Sequence, residues 1–135
     1  MLLTKRLPKR PNYLAPDGTE IGLLPAMKGG GLCECVLPVG GISKPVKHKK
    51  VEEIWYVLEG EGQVWRKSKT EEKVVKVKPG VALTIPPSVS FQFRNTSKGP
   101  LWMVIVTMPP WPGPEEAITV DGKWKYKMEH IPRSK

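Results

Sequence analysis

A histidine and a glutamate stand close together in this chain, His48 within Lys47-His48-Lys49-Lys50 and Glu53 at the head of the next β-prone run. An imidazole and a carboxyl can pass a proton to and from a bound molecule, so the two are candidates for a general acid and base pair. The lysine charges around His48 disfavour its protonated form, which predicts a neutral imidazole near neutral pH. Glu53, if it points inward, needs a partner, because an unpaired buried carboxylate is costly. That partner is either His48, completing the acid and base pair, or an arginine or lysine in a structural ion pair. Cys33-Glu34-Cys35 adds two thiols on alternate residues of a strand, a spacing that makes a poor disulfide. They are expected to be free and to fill one strand face, as suits a reducing compartment. As metal ligands a lone Cys-x-Cys is a weak pattern, of interest here only for its nearness to His48 and Glu53.

Short β-prone runs must position these groups. Residues 21–24, 32–37, 44–48, 53–58, 63–66, 73–77, 82–85, 91–94 and 101–108 alternate with Gly and Pro breaks, which predicts about nine strands. With no helical periodicity between them, the fold class is all-β, an antiparallel sandwich or barrel over residues 21–108. Residues 1–20 contain Pro8, Pro11 and Pro16 and read as an extended N-terminal arm with little core of its own. Pro109-Pro110-Trp111-Pro112-Gly113-Pro114 opens a proline-rich segment and polar tail over 109–135, placed to cover the barrel or a partner subunit. Gly60 and Gly62 flank a tight turn that is expected to need positive φ angles.

At 135 residues, 39% of them apolar, the chain is sized for one folded domain. Its net charge of +9 is carried mostly by clustered lysines. Over residues 73–78 these alternate with valines, as in a strand with valines inward and lysines out. The basic field also attracts an anionic metabolite or an acidic partner. No recognised nucleic-acid module accompanies it, which argues against nucleic acid as a partner. No stretch approaches the ~20 apolar residues of a membrane span, and the first residues lack the apolar core of a signal peptide, so a cytoplasmic protein is expected.

Glu53, the run Trp55-Tyr56-Val57-Leu58-Glu59-Gly60-Glu61-Gly62, Gly80, Pro86 and the ending Phe93-Arg94-Asn95 together resemble the two motifs of the cupin family. The resemblance implies a double-stranded β-helix, a jelly-roll barrel of antiparallel strands. It also implies the family's metal site of three histidines and one glutamate. His48 takes the second histidine place and Glu53 the glutamate place, while Val46 and Phe91 stand at the other two. In a register one residue shorter, Lys47 and Lys49 occupy the histidine places and His48 drops out. Either way at most two ligands are inherited, fewer than a catalytic ion usually needs.

The reading therefore favours no bound metal, leaving open a weakly held divalent transition metal on His48, Glu53 and a cysteine thiolate. Trp55, Val57, Phe91 and Phe93 share inward parity by this resemblance and, with Val46, line a mostly apolar pocket or simply fill a core. Phe91-Gln92-Phe93-Arg94 can also be read as a platform for stacking bases. The expected function is that of a small-molecule-binding single-domain cupin, with His48 and Glu53 as its polar groups and a homodimer as its assembly. The alternatives are a metal-dependent dioxygenase or sugar-phosphate isomerase with unusual ligands, and a non-catalytic module for an acidic partner.

Overall fold

The structure, a computed structural model, describes residues 2–130; residues 131–135 of the expected tail lie outside the described residues. Among the described residues eleven strands occur in chain order: β1 (Tyr13–Leu14), β2 (Glu20–Met27), β3 (Gly30–Leu37), β4 (Val46–His48), β5 (Glu52–Glu59), β6 (Gly62–Lys67), β7 (Glu72–Val77), β8 (Ala82–Ile85), β9 (Ser90–Asn95), β10 (Leu101–Met108) and β11 (Ala117–Thr119). One 3₁₀ turn, Pro114–Glu116, precedes β11. The strands form a six-stranded sheet in the order β1-β2-β3-β10-β5-β8 and a five-stranded sheet in the order β11-β4-β9-β6-β7. Every pairing between strands is antiparallel, and the fold is the jelly-roll barrel of the cupins.

Alternation along the strands builds the core. On β5, Glu53, Trp55 and Val57 point inward while Ile54, Tyr56 and Leu58 remain exposed. Ile21, Cys35 and Met103 from one sheet meet Val46, Val64, Phe91 and Phe93 from the other. Gly60 has φ +86°, and a Cβ there would strike the Pro100 carbonyl oxygen, so both conformation and space require glycine. Gly62 differs from expectation, since positive φ is confined to Gly60 in this turn. Its requirement is close packing, because a Cβ would meet the Arg94 carbonyl oxygen and Leu101.

Several boundaries also differ from the sequence reading, each for a local reason. The strand expected over 44–48 starts only at Val46, because the Lys44 amide donates instead to the Asp17 carbonyl at 2.9 Å. β2 runs past Pro25 to Met27, the missing donor being absorbed by a register shift between Leu23 and Ala26. On β7, Val75 and Val77 turn inward, but Val74 shares the outer face with Lys76 and Lys73 is exposed at the sheet edge, so the valine and lysine alternation holds only for its second half.

The arm and the tail both join the barrel. β1 lies in the arm and pairs with β2, and β11 lies in the tail and pairs with β4. Gln92 fastens the tail further. Its amide Nε2 donates to the carbonyls of Ser43 and Trp124 at 2.8 and 2.7 Å, and its Oε1 accepts from the amides of Lys123 and Trp124 at 3.0 and 2.8 Å. Each hydrogen-bonding position of this fully buried side chain is used. The base-stacking reading of this strand is overturned by the same geometry. Phe91 and Phe93 are buried in the core, and the Arg94 guanidinium lies over the Trp124 ring at 4.4 Å.

Candidate functional site

Between the sheets lies a cavity of about 410 Å³, walled by inward side chains of both sheets and capped by residues of the arm and the proline-rich segment. Strand pairing explains how its groups converge. Glu53 of β5 sits opposite Thr107 of β10 and Ile85 of β8. Val46 of β4 pairs with Phe91 of β9 across the facing sheet. Val46, His48, Glu53, Trp55, Phe91 and Phe93 all line the cavity, whereas Val57 packs in the core outside the lining.

Glu53 and His48 share this cavity without pairing. The carboxyl Oε1 of Glu53 instead accepts a hydrogen bond from the indole Nε1 of Trp55 at 2.8 Å. Among the described residues it has neither a histidine partner nor an ion pair. Burial pushes its pKa up to about 7, the Trp55 hydrogen bond opposes this, and the Asp17 charge adds to it. Near neutral pH the carboxyl can both give and accept a proton.

His48 is held by rings. Its imidazole meets Phe91 and Trp111 edge to face, with centroids 5.1 and 5.0 Å away. Burial lowers its pKa to about 4, against an opposing pull from Glu116. The expected neutral imidazole is thus found, but burial produces it and the neighbouring lysines do not. Its buried Nδ1 has no hydrogen-bond partner among the described residues.

The arm and tail supply groups that the sequence reading did not place here. Asp17 is buried, and its Oδ1 accepts from the Thr19 amide at 3.0 Å and the Thr19 hydroxyl at 2.7 Å. Burial nonetheless raises its pKa. The Asp17-Gly18-Thr19 sequence was the available signal, since an aspartate before a turn commonly binds the backbone two residues on. Trp111 comes from the proline-rich segment, and Tyr13 from β1. Glu116 braces the site from behind, its Oε2 accepting from the amides of Lys50 and Val51 at 2.6 Å each.

Cys33 and Cys35 are free thiols. Burial pushes Cys33 up to about 12 and Cys35 well above its ordinary value, so neither supplies a thiolate at neutral pH. Among the described residues no group of three or more His, Cys, Asp and Glu side chains converges as ion ligands. With phenylalanine and valine beside His48 and a Trp-bonded glutamate opposite, the donor set does not fit the family's metal. Among the described residues no helix is long and apolar enough to cross a membrane.

A closed antiparallel jelly roll with a cavity between its sheets defines a double-stranded β-helix protein. The cupin domain pattern matches residues 33–107, and the chain belongs to the cupin family. An uncharacterized protein of Methanocaldococcus jannaschii is 32% identical over 104 residues, covering 73% of this chain and 80% of that one. An uncharacterized conserved protein with a double-stranded β-helix domain from Klebsiella pneumoniae superposes with a TM-score of 0.64 at 15% identity, covering 77% of this chain and 85% of its own. A predicted oxalate decarboxylase from Thermotoga maritima superposes with a TM-score of 0.59 at 25% identity, over 67% of this chain and 80% of its own.

Proposed function

We propose that this cupin binds a small molecule in the cavity between its sheets, with Glu53 and His48 orienting a largely apolar ligand. The observation that carries the reading is the cavity of about 410 Å³ with the Glu53 carboxyl withdrawn from water inside it. The volume falls within the roughly 300–1,000 Å³ of small-molecule sites. Aromatic and aliphatic walls supply contact area, while the two polar groups fix orientation. A carboxyl near its midpoint at neutral pH and a neutral imidazole could also move a proton on a bound molecule without a metal.

The test uses p-cresol, an apolar ring with one hydroxyl, titrated against the protein while tryptophan indole resonances are followed by NMR. Saturable shifts of the Trp55 and Trp111 indole signals support the reading. Val46→Trp, which fills the cavity from β4, should abolish them. Shifts that persist unchanged in a folded Val46→Trp protein, or none at all in the wild type, would overturn it.

A further inference from the structure

Resting on the cavity as a ligand site, we propose that its ligand is a small organic cation, a protonated amine or quaternary ammonium with an apolar body, held by aromatic walls and the Glu53 and Asp17 carboxyls. The first argument is charge. Among the described residues no lysine or arginine lines the cavity, in a chain that has 22 of them. Its acidic groups are Glu53 and Asp17, both more than nine-tenths buried. An anion would meet two acidic groups and no basic side chain in the lining, Lys44 acting on Asp17 only from outside it, whereas a cation supplies a countercharge within the cavity itself.

The second argument is the walls. Both phenylalanines of the chain, Phe91 and Phe93, line the cavity together with Trp55, Trp111 and Tyr13. Trp55 lies against Phe91 and Phe93 with ring centroids 5.5 and 4.8 Å apart, and Trp111 against His48 at 5.0 Å. Aromatic faces around a desolvated site attract ammonium groups through the ring quadrupole. Tyr13, Cys33, Cys35 and His48, the other titratable groups there, all stay neutral near neutral pH and neither compete with the carboxyls for the cation nor repel it.

The third is the unsatisfied imidazole. His48 is 4% exposed, lines the cavity and keeps a buried Nδ1 without a partner among the described residues. A ligand hydroxyl both donates and accepts, so it suits that nitrogen in either tautomer once rotation of the imidazole turns the sealed Nδ1 toward the cavity. A cation with an apolar body and a hydroxyl satisfies all three features.

Choline is such a molecule, and neohexyl alcohol is its uncharged isostere, with carbon in place of the ammonium nitrogen. Calorimetric titration of the whole protein at about pH 8, where Glu53 is mostly ionised, should show choline binding at least about tenfold more tightly than the isostere. Glu53→Gln keeps an oxygen for the Trp55 indole and should bring the two ligands within about twofold of each other. An isostere that binds as tightly as choline overturns the cation while leaving the cavity reading intact, as does a preference unchanged in a folded Glu53→Gln protein. Binding of neither ligand overturns the cation proposal and counts against the cavity as well. Choline binding unaltered in Val46→Trp, or in Ala117→Trp if the first does not fold, places the ligand elsewhere and overturns both.

Discussion

The indole N–H of Trp55 donates to Glu53 Oε1 at 2.8 Å, joining two side chains on the same inward face of β5. That hydrogen bond is what allows a carboxyl to sit inside an apolar barrel without an ion pair, and it opposes the upward push of burial on Glu53. Trp55→Phe removes the donor and keeps most of the ring. The Glu53 midpoint should then move further above about 7, and stability should fall by about 1–3 kcal/mol. Carboxyl ¹³C titration and urea unfolding read the two effects.

Glu53 and His48 have opposite effects on stability as pH changes. Glu53 rises from 4.5 in an unstructured chain to about 7, so its contribution is full below pH 4.5 and is lost as pH climbs to about 7. His48 falls from 6.5 to about 4, so its contribution is full above pH 6.5 and is lost as pH drops to about 4. Each shift corresponds to about 3 kcal/mol. Asp17, raised by burial, acts in the same direction as Glu53. Burial pushes Glu116 up, but hydrogen bonds from Lys50 and Val51 outweigh it and hold this carboxyl below 4.5, outside the window. Between pH 4.5 and 6.5 the slopes of Glu53 and His48 should therefore largely cancel, and any net change in wild-type stability there should be the fall with rising pH that Asp17 adds. Across that window Glu53→Gln should gain stability with rising pH and His48→Phe should lose it. Urea midpoints at stepped pH decide, and parallel profiles for the two variants would contradict the assignment.

Glu116 holds the loop that follows His48. Its carboxylate accepts from two backbone amides, and its own carbonyl accepts from the Lys49 amide at 3.1 Å. Glu116→Ala leaves two donors without their acceptor, an expected loss of about 2–4 kcal/mol. Hydrogen exchange at Lys50 and Val51 should quicken well before global unfolding.

Gln92 makes four hydrogen bonds to backbone groups of the tail and of Ser43. Gln92→Leu keeps the volume but strands those groups, at an expected cost of about 3 kcal/mol or more. Proteolysis should then cut near Lys123 while the barrel strands stay protected. A tail that remains resistant would show that other contacts hold it.

Much of the barrel was legible because β2 to β10 each announce themselves as a β-prone run between Gly and Pro breaks, whereas β1 and β11, in the arm and the tail, do not. Glu53, Trp55 and Val57 alternate with outward residues, and Gly60 marks the turn after them. The resemblance to the cupin motifs set Val46 and Phe91 at inward ligand places, and Phe93 shares the parity of Phe91. The same alternation could have revealed the Trp55 partner of Glu53, since residues two apart on a strand share a face. What stayed hidden was the cap of the cavity. Tyr13, Asp17, Trp111 and Glu116 lie in proline-rich segments with no periodicity, and their positions follow from long-range contacts such as Lys44 to Asp17 and Val51 to Glu116. The charge state of His48 was legible in sign but not in cause, because local sequence shows neighbouring lysines and not the depth of burial.

The central claim is that Glu53 is a carboxyl held away from water inside a ligand cavity. Its ¹³C carboxyl titration in the wild-type protein tests this most directly. A midpoint near 7 is predicted, and a midpoint near 4.5 would contradict it, because the carboxyl would then be solvated like one in an unstructured chain.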